Sequence, residues 1–547
     1  MLPYSSAPAH ALTLLLWCMF VIPGTSQCFA DDRDPVLQGK QIYGYGTTLG
    51  GQAIKAVVQN DVPLPPAAAA CANCHRRSGL GVAEGGSRSL NLSAPSLFNA
   101  TSKPPLRPAY DEQTLVRAIV AGVAADGRLL DETMPRYELG NDDAFALVAY
   151  LKTLGATAPV GVTASTLTIA TIIADSAPQD QKEAVLRVMQ TFVDVKNGES
   201  RNETKRAAAA SRHFYGRTAQ RAYRAWKLLT WYLHGDSSTW GRQLAEYARA
   251  DEPFAILSGT AGPEWQAIHE FCEASEIPCI LPLAAGVENA DDFFYSLYFS
   301  TGPVLEARVA ASHVSRLPES TNRKVLVVLR DDKPSQAALE AFRKVLAASS
   351  GLQVIAKIVK GRQALSARKW RSILRSAQAD VLLIMLGAES INALASIDNN
   401  TDLVPDQLYT MESYSAWPEE IQNIDGLLGS INHVYPYTLP STSATQFPRE
   451  YLWLQHHGLG DLDPVAASRT LYACRVMGVG LADVQTNFSR EYFLEALEHA
   501  LDGTQLTSVY PHTSLGPSQR LLSRGAYVVS LSQLSRGQFS RAEWIQP

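Results

Sequence analysis

The sequence predicts a multidomain chain: a helical module over residues 31–155, then a longer α/β module over residues 166–547. Three observations carry this. Apolar residues recur at helical spacing around Cys71-Ala72-Asn73-Cys74-His75, as in Leu115, Ile119 and Val120. Gly155 to Ser165 is built of small residues with one proline and reads as a linker, residues 156–165. Beyond it, β-branched runs alternate with one-faced helices, the pattern of βαβ units on a parallel sheet.

At 547 residues, 46% hydrophobic and 18% charged, the chain reads as an ordinary folded protein of roughly two to four domains. The net charge of −5 argues against a nucleic-acid partner, which needs a basic surface. An apolar run from Ala11 to Ile22, then Pro23-Gly24 and mostly small residues to Ala30, reads as a signal peptide, residues 1–30. A buried N-terminal helix is the alternative. The run is too short to span a bilayer, and no later run is long enough. The expectation is an exported, periplasmic protein with no membrane span after signal cleavage.

Cys71 to His75 carry the chemistry. In C-x-x-C-H two thiols are spaced to add to the two vinyl groups of a haem, and the adjacent histidine reaches iron from the same turn. One covalent haem c is the expected cofactor, anchored by Cys71 and Cys74, with His75 as an axial ligand. A zinc site needs further Cys or His nearby, and this module has none. Composition nominates the other axial ligand: Met134 is the only methionine of residues 31–155, and His75 the only histidine. A thioether opposite imidazole raises the potential relative to two imidazoles. Met134 as a gap-filling core residue, with open or water-ligated iron, is the alternative. Of the other cysteines, Cys18 and Cys28 leave with the signal and Cys474 reads as core. Cys272 and Cys279 either form a disulfide or stay as buried thiols.

An amphipathic segment starts at Gly39-Lys40-Gln41-Ile42-Tyr43, and helical patterns follow over Asp111 to Gly122 and Asp142 to Leu154. Together with the motif and Thr133-Met134-Pro135, they resemble a class I cytochrome c. The resemblance implies an all-α domain whose first and last helices cross beside the haem, with a methionine ligand just before the last helix. Ser78 to Ser89 reads as a loop over one haem edge. Arg76 and Arg77 either pair with propionates or face solvent.

In the second module Leu167 to Ala174, Trp226 to Leu233, Phe254 to Leu257, Cys279 to Leu281, Lys324 to Leu329, Gln353 to Ile358 and Val381 to Met385 read as strands. Helices over Ser238–Ala250, Glu264–Ser275, Ser335–Ala348 and Ala367–Ala377 separate them. Two such runs, joined near Ser300 to Pro303, resemble a type I periplasmic binding protein of the branched-chain amino-acid receptor kind. The likeness extends to Glu276-Ile277-Pro278, Tyr295 to Gly302, and the closing segments Gly516 to Arg520 and Ser523 to Val528. It implies two lobes that close by hinge motion on a ligand held at facing strand ends. On that logic Ser258, Gly259 and Thr260 are candidates to hold a carboxylate, Asp331 and Glu389 an ammonium group, and Tyr298 and Tyr414 an apolar part. The alternative for each is an ordinary loop or cap residue. The Arg- and Lys-rich segment Glu199 to Arg224 departs from the family pattern and puts amino-acid specificity in doubt.

No catalytic constellation stands out, so the chain is read as an electron carrier and binding protein rather than an enzyme. The expected function is electron transfer to or from a redox partner protein. The second module would sense a small-molecule ligand or dock the partner. A solute receptor with an accessory haem is the alternative, and a binding fold that has lost its ligand is a third reading.

Overall fold

The structure, a computed structural model, describes residues 34–547 apart from 60, 82, 85–86, 102–105, 157, 211–223, 286–292, 318–322, 348–350, 362, 398–402, 417–426, 428–429, 440–447, 485–486, 504–505, 507, 517–518 and 535–541. The expected signal peptide, residues 1–30, lies outside the described residues.

In chain order residues 34–155 include α1 (Pro35–Tyr45), β1 (Lys55–Val58), β2 (Val62–Pro63), α2 (Ala72–His75), α3 (Ala94–Leu97), α4 (Glu112–Ala121), β3 (Arg136–Glu138) and α5 (Asn141–Leu151). They fall into two compact units. Residues up to 69 and 112–150 make one; residues 70–111 join the chain from 151 onward in the other.

In the first unit α1 starts where it must. Asp34 accepts from the Val36 N–H at 2.9 Å, and Pro35 occupies the first turn, where its missing N–H costs nothing. Gly46 ends it with φ 66°, donating to the Ile42 carbonyl at 3.0 Å. Gly39 marks the crossing of α1 and α5: a Cβ there would lie 2.0 Å from the Ala146 carbonyl oxygen. The rings of Tyr43 and Tyr150 meet at 5.3 Å on the same crossing. The two helices cross as the cytochrome resemblance implies.

The expectation of an all-helical first module needs correction. β1 pairs antiparallel with both β2 and β3 in a three-stranded sheet. Strands of two to four residues are too short for a period of two to register, so no sequence pattern announces them.

The second unit carries two large sheets, one parallel and one mixed, and a short antiparallel pair at Ala83–Glu84 and Ser87–Arg88. The first runs β4 (Thr166–Ala174), β5 (Ala225–Leu233), β6 (Ala255–Leu257), β7 (Cys279–Ile280) and β8 (Ser296–Leu297), in spatial order β8-β7-β6-β4-β5. Helices α6 (Gln179–Ala210), α7 (Trp240–Asp251) and α8 (Gln266–Ala274) connect its strands. The central strand β4 is buried along almost its whole length, which is why its sequence is continuously apolar and β-branched.

The second sheet opens after α9 (Pro303–Ser315). It holds β9 (Arg323–Arg330), β10 (Leu352–Val359), β11 (Val381–Met385), β12 (Gln407–Met411) and β13 (Ile431–Tyr435), all parallel, with α10 (Lys333–Leu346), α11 (Ala367–Ala377) and α12 (Ala388–Ala395) between them. The chain then returns to the first lobe as α13 (Pro448–His456), α14 (Pro464–Val484) and α15 (Arg490–Gly503), whose apolar faces share one core with β4 and α6. It crosses back through residues 516–525 to add two antiparallel strands, β14 (Ala526–Ser530) and β15 (Glu543–Ile545). Three crossings near Phe299, Tyr437 and Arg520 therefore join two α/β lobes.

Candidate functional site

The motif Cys71 to His75 folds as a single turn. The His75 N–H donates to the Cys71 carbonyl at 2.9 Å, and the turn stops at Arg76 with φ 63°. Cys71 is buried and Cys74 exposed. The His75 ring is also buried, and its Nδ1–H donates to the Leu90 carbonyl at 2.9 Å. That bond fixes the tautomer that leaves the Nε2 lone pair free, as an iron-ligating histidine requires. Burial lowers the basicity of the imidazole and keeps it neutral. Leu90 and Leu106, 61% and 66% exposed, add apolar surface to the same segment. Two thiols on one turn, a neutral imidazole with its second nitrogen held, and exposed apolar side chains fit a covalently attached haem.

Met134 belongs to the other compact unit. It is half-buried in the turn before β3, its N–H donating to Asp131 at 3.1 Å and its carbonyl accepting from Arg136. Arg136 organises this turn: its guanidinium also donates to the Leu130 carbonyl at 3.0 Å and lies where a Cβ on Gly122 would be.

Arg76 and Arg77 turn toward the binding-protein lobe. Arg76 approaches Glu498 of α15 at 3.5 Å, and the Arg77 guanidinium lies 4.6 Å from the centre of the Phe294 ring. Ser78 completes the contact: its N–H and hydroxyl donate to Glu495 at 3.0 and 2.5 Å. Glu498 also holds the buried Arg520 at 2.6 Å.

The residues foreseen for the solute are mostly occupied elsewhere. The Ser258 and Thr260 amides donate within the sheet, to Ile280 and Ile172, both at 2.8 Å. The Thr260 hydroxyl donates to Gln181 at 2.8 Å. Gly259, with φ 103°, lets the chain pass so close to β4 that a Cβ would sit 2.7 Å from the Ile172 carbonyl oxygen. The Ser258 and Thr260 amides therefore serve the sheet and are not open to a carboxylate. Tyr298 is a core residue, fully buried and bonded through its hydroxyl to His269 at 2.9 Å. Asp331 and Glu389 are both exposed, and Asp331 accepts from Gln336 at 2.9 Å. Tyr414 is half-buried near Glu306.

Cys272 and Cys279 meet as buried, free thiols within side-chain hydrogen-bond reach, the second of the two arrangements the sequence left open. Burial pushes the Cys272 thiol well up. Of the basic segment, α6 extends through Ala210; the side chains of residues 200–223 lie outside the described residues. Arg224 donates to the Thr163 carbonyl at 2.7 Å and lies over the Phe488 ring.

A different cluster occupies the crossings. The Arg469 guanidinium from α14 lies 4.7 Å from the centre of the Phe299 ring and 6.0 Å from that of Tyr510. It makes one long bond, 3.4 Å to the Pro282 carbonyl, and its buried Nε has no partner. No carboxylate pairs with it among the described residues. Tyr437 and Tyr510 meet at 5.2 Å beside it. From the second lobe comes Glu306, fully buried, its carboxyl accepting from Ser413 N–H at 3.0 Å and Oγ at 2.5 Å. Burial pushes Glu306 up to about 8, so it is largely protonated at neutral pH. Next to it Glu412 and His433 form a buried pair at 2.7 Å. The only sequence signal was a lone Arg469 on the apolar face of a long helix.

The chain thus joins a segment fitted to covalent haem to a two-lobed α/β fold. Comparison with known proteins agrees. Residues 66–155 match the family described as Cytochrome c. The α/β module shares its fold with an ABC transporter substrate-binding protein from Sphaerobacter thermophilus: 15% identity, 66% of this chain, 93% of that chain, TM-score 0.51. A branched-chain amino acid ABC transporter protein from Thermus thermophilus with bound valine is also similar, at 12% identity, 68% and 94% coverage and TM-score 0.48. So is a putative branched-chain amino acid ABC transporter protein from Rhodospirillum rubrum, at 16%, 67% and 98%, TM-score 0.47. The search of curated proteins returned no match. Among the described residues no helix is long and apolar enough to cross a membrane.

Proposed function

We propose that this is an exported, periplasmic electron-transfer protein. In this reading Cys71 and Cys74 anchor one haem c, His75 and Met134 are its axial ligands, and the haem exchanges single electrons with a protein partner. The observation that carries the reading is the buried, neutral His75 imidazole, oriented by the Leu90 carbonyl and set on the same turn as two cysteines. The chain's own residues orient the histidine and exclude water from it. It acts as a carrier and receptor, not an enzyme.

The second module takes a small solute or docks the partner. Arg469 favours the solute: a guanidinium without a carboxylate, among aromatic rings at the lobe crossings, suits the anionic end of a small organic acid. A solute receptor with an accessory haem follows from the same observation as the second reading. An optical redox titration of the purified holo-protein, with and without small acids, amino acids and alcohols, separates them. Reversible reduction indifferent to every solute supports the carrier; a solute-dependent thermal shift with sluggish electron exchange supports the receptor. Absence of a covalent haem absorbance would overturn both.

A further inference from the structure

We infer that the binding-protein lobe supplies part of the haem site: Glu495 and Glu498 of α15 are positioning residues that hold the backbone leaving His75 and tie it to the interlobe crossing at Arg520. The inference rests on the reading of residues 70–111 as the haem-bearing segment and goes beyond it in giving the second module a role at the iron.

Four contacts carry it, all made by the three residues that follow His75. Arg76 reaches Glu498, Arg77 lies on Phe294, and Ser78 gives Glu495 both its N–H and its hydroxyl. Arg76 has φ 63° and ψ 165°, a positive-φ conformation nearly reserved for glycine that persists only where surroundings over-determine it. Its partner Glu498 is buried, so a carboxylate there is retained only with cations to compensate it. Arg520 supplies the main one, at 2.6 Å and with its own side chain 2% exposed. Arg520 also lies 4.5 Å from the Phe294 ring centre, the ring that Arg77 covers.

The far end of this chain of contacts is the hinge. The Tyr298 N–H donates to the Arg520 carbonyl at 2.9 Å, and the Ser523 N–H to Phe299 at 2.8 Å, so Arg520 rides on two of the three crossings. Lobe motion that shifts Arg520 alters the compensation of Glu498 and hence of Arg76, one residue from the iron ligand. Ferric haem carries one more positive charge than ferrous. A guanidinium moved toward it favours the ferrous state, and an uncompensated carboxylate favours the ferric one.

The test is the midpoint potential of full-length holo-protein carrying Arg76→Gln, Ser78→Ala, Glu498→Gln and Arg520→Lys. Arg76→Gln is expected to disfavour reduction three- to tenfold, tenfold being about 59 mV for one electron. Arg76→Lys should restore most of that charge effect. Glu498→Gln should shift the equilibrium the other way, and the Arg76→Gln/Glu498→Gln pair should be non-additive. Arg520→Lys, at the hinge, should move the potential about twofold. Potentials unchanged in all four, or strictly additive, with haem content intact, overturn the inference. If Glu498→Gln does not fold, Arg76→Gln and Ser78→Ala decide, since both leave the Glu498–Arg520 pair whole. Wild-type protein that takes up no haem overturns the reading of the segment itself, a separate and visible failure.

Discussion

The haem segment and the interlobe crossings are built by opposite means. At the first, five consecutive residues place two thiols and an imidazole on one turn, and a single carbonyl fifteen residues past the motif finishes the job. At the second, the groups come from α9, α14, β13 and all three crossings. The thiols and imidazole of the first are set by one turn of backbone; the second exists only when both lobes have formed. A local site tolerates changes in its scaffold and fails when one of its own residues is lost. A distributed site depends on the scaffold.

That contrast can be broken or sharpened. The largest effect belongs to the anchors: replacing both Cys71 and Cys74 by Ala should abolish haem that survives denaturation, read by haem staining of the unfolded protein. Met134→Ala should leave haem attached but lower the potential by at least tenfold in the reduction equilibrium, about 59 mV. The reduced variant should bind carbon monoxide readily; equal binding by wild type would argue against a methionine ligand.

At the crossings Arg469→Gln should weaken binding of benzoate by about 2 kcal/mol, the range for a charged hydrogen bond, with benzyl alcohol unaffected. Titration calorimetry measures both, and no benzoate binding by wild type would count against the solute site. In the scaffold, Gly39→Val forces a side chain onto the Ala146 carbonyl and should destabilise the first unit by roughly 1–3 kcal/mol, seen as a lower Tm.

The smallest effect is a pH slope. Burial raises Glu306 to about 8, against about 4.3 for a free glutamate, among Ser413, Glu412, Tyr414 and Tyr510. The folded state therefore binds its proton more tightly than the unfolded state. Its contribution to stability is full below about pH 4 and is lost as pH rises through 8. Glu306→Gln, neutral throughout, should flatten the fall in Tm between pH 5 and 8. A wild-type Tm that rises across that range would contradict the burial of this carboxyl.

Legibility in the sequence followed the same division. Cys71, Cys74 and His75 were evident because the spacing is itself the chemistry, and β4 because burial on both faces leaves no room for polar residues. The short strands around Met134 were not, since three residues carry no period. Ser258 to Thr260 misled because a Ser-Gly-Thr turn after a strand looks the same whether its amides face a ligand or a neighbouring strand. Here Ile172 and Ile280 take them. Arg76 and Arg77 looked like propionate partners or solvent-facing charges. Their actual partners, Glu498 and Phe294, lie hundreds of residues away in the chain.

By itself the sequence determined the C-x-x-C-H spacing, the presence of a single methionine within residues 31–155, and two runs of alternating strands and helices. Those features depend on spacing and periodicity, which are properties of neighbours along the backbone. Only the tertiary structure decided that α15 grips the residues after His75, that the Ser258 turn serves the sheet, and that Arg469 stands among aromatic rings at the crossings. Such pairings cost loop-closure entropy and are settled by which charges and amides can be compensated once both lobes are buried, a balance no local pattern records.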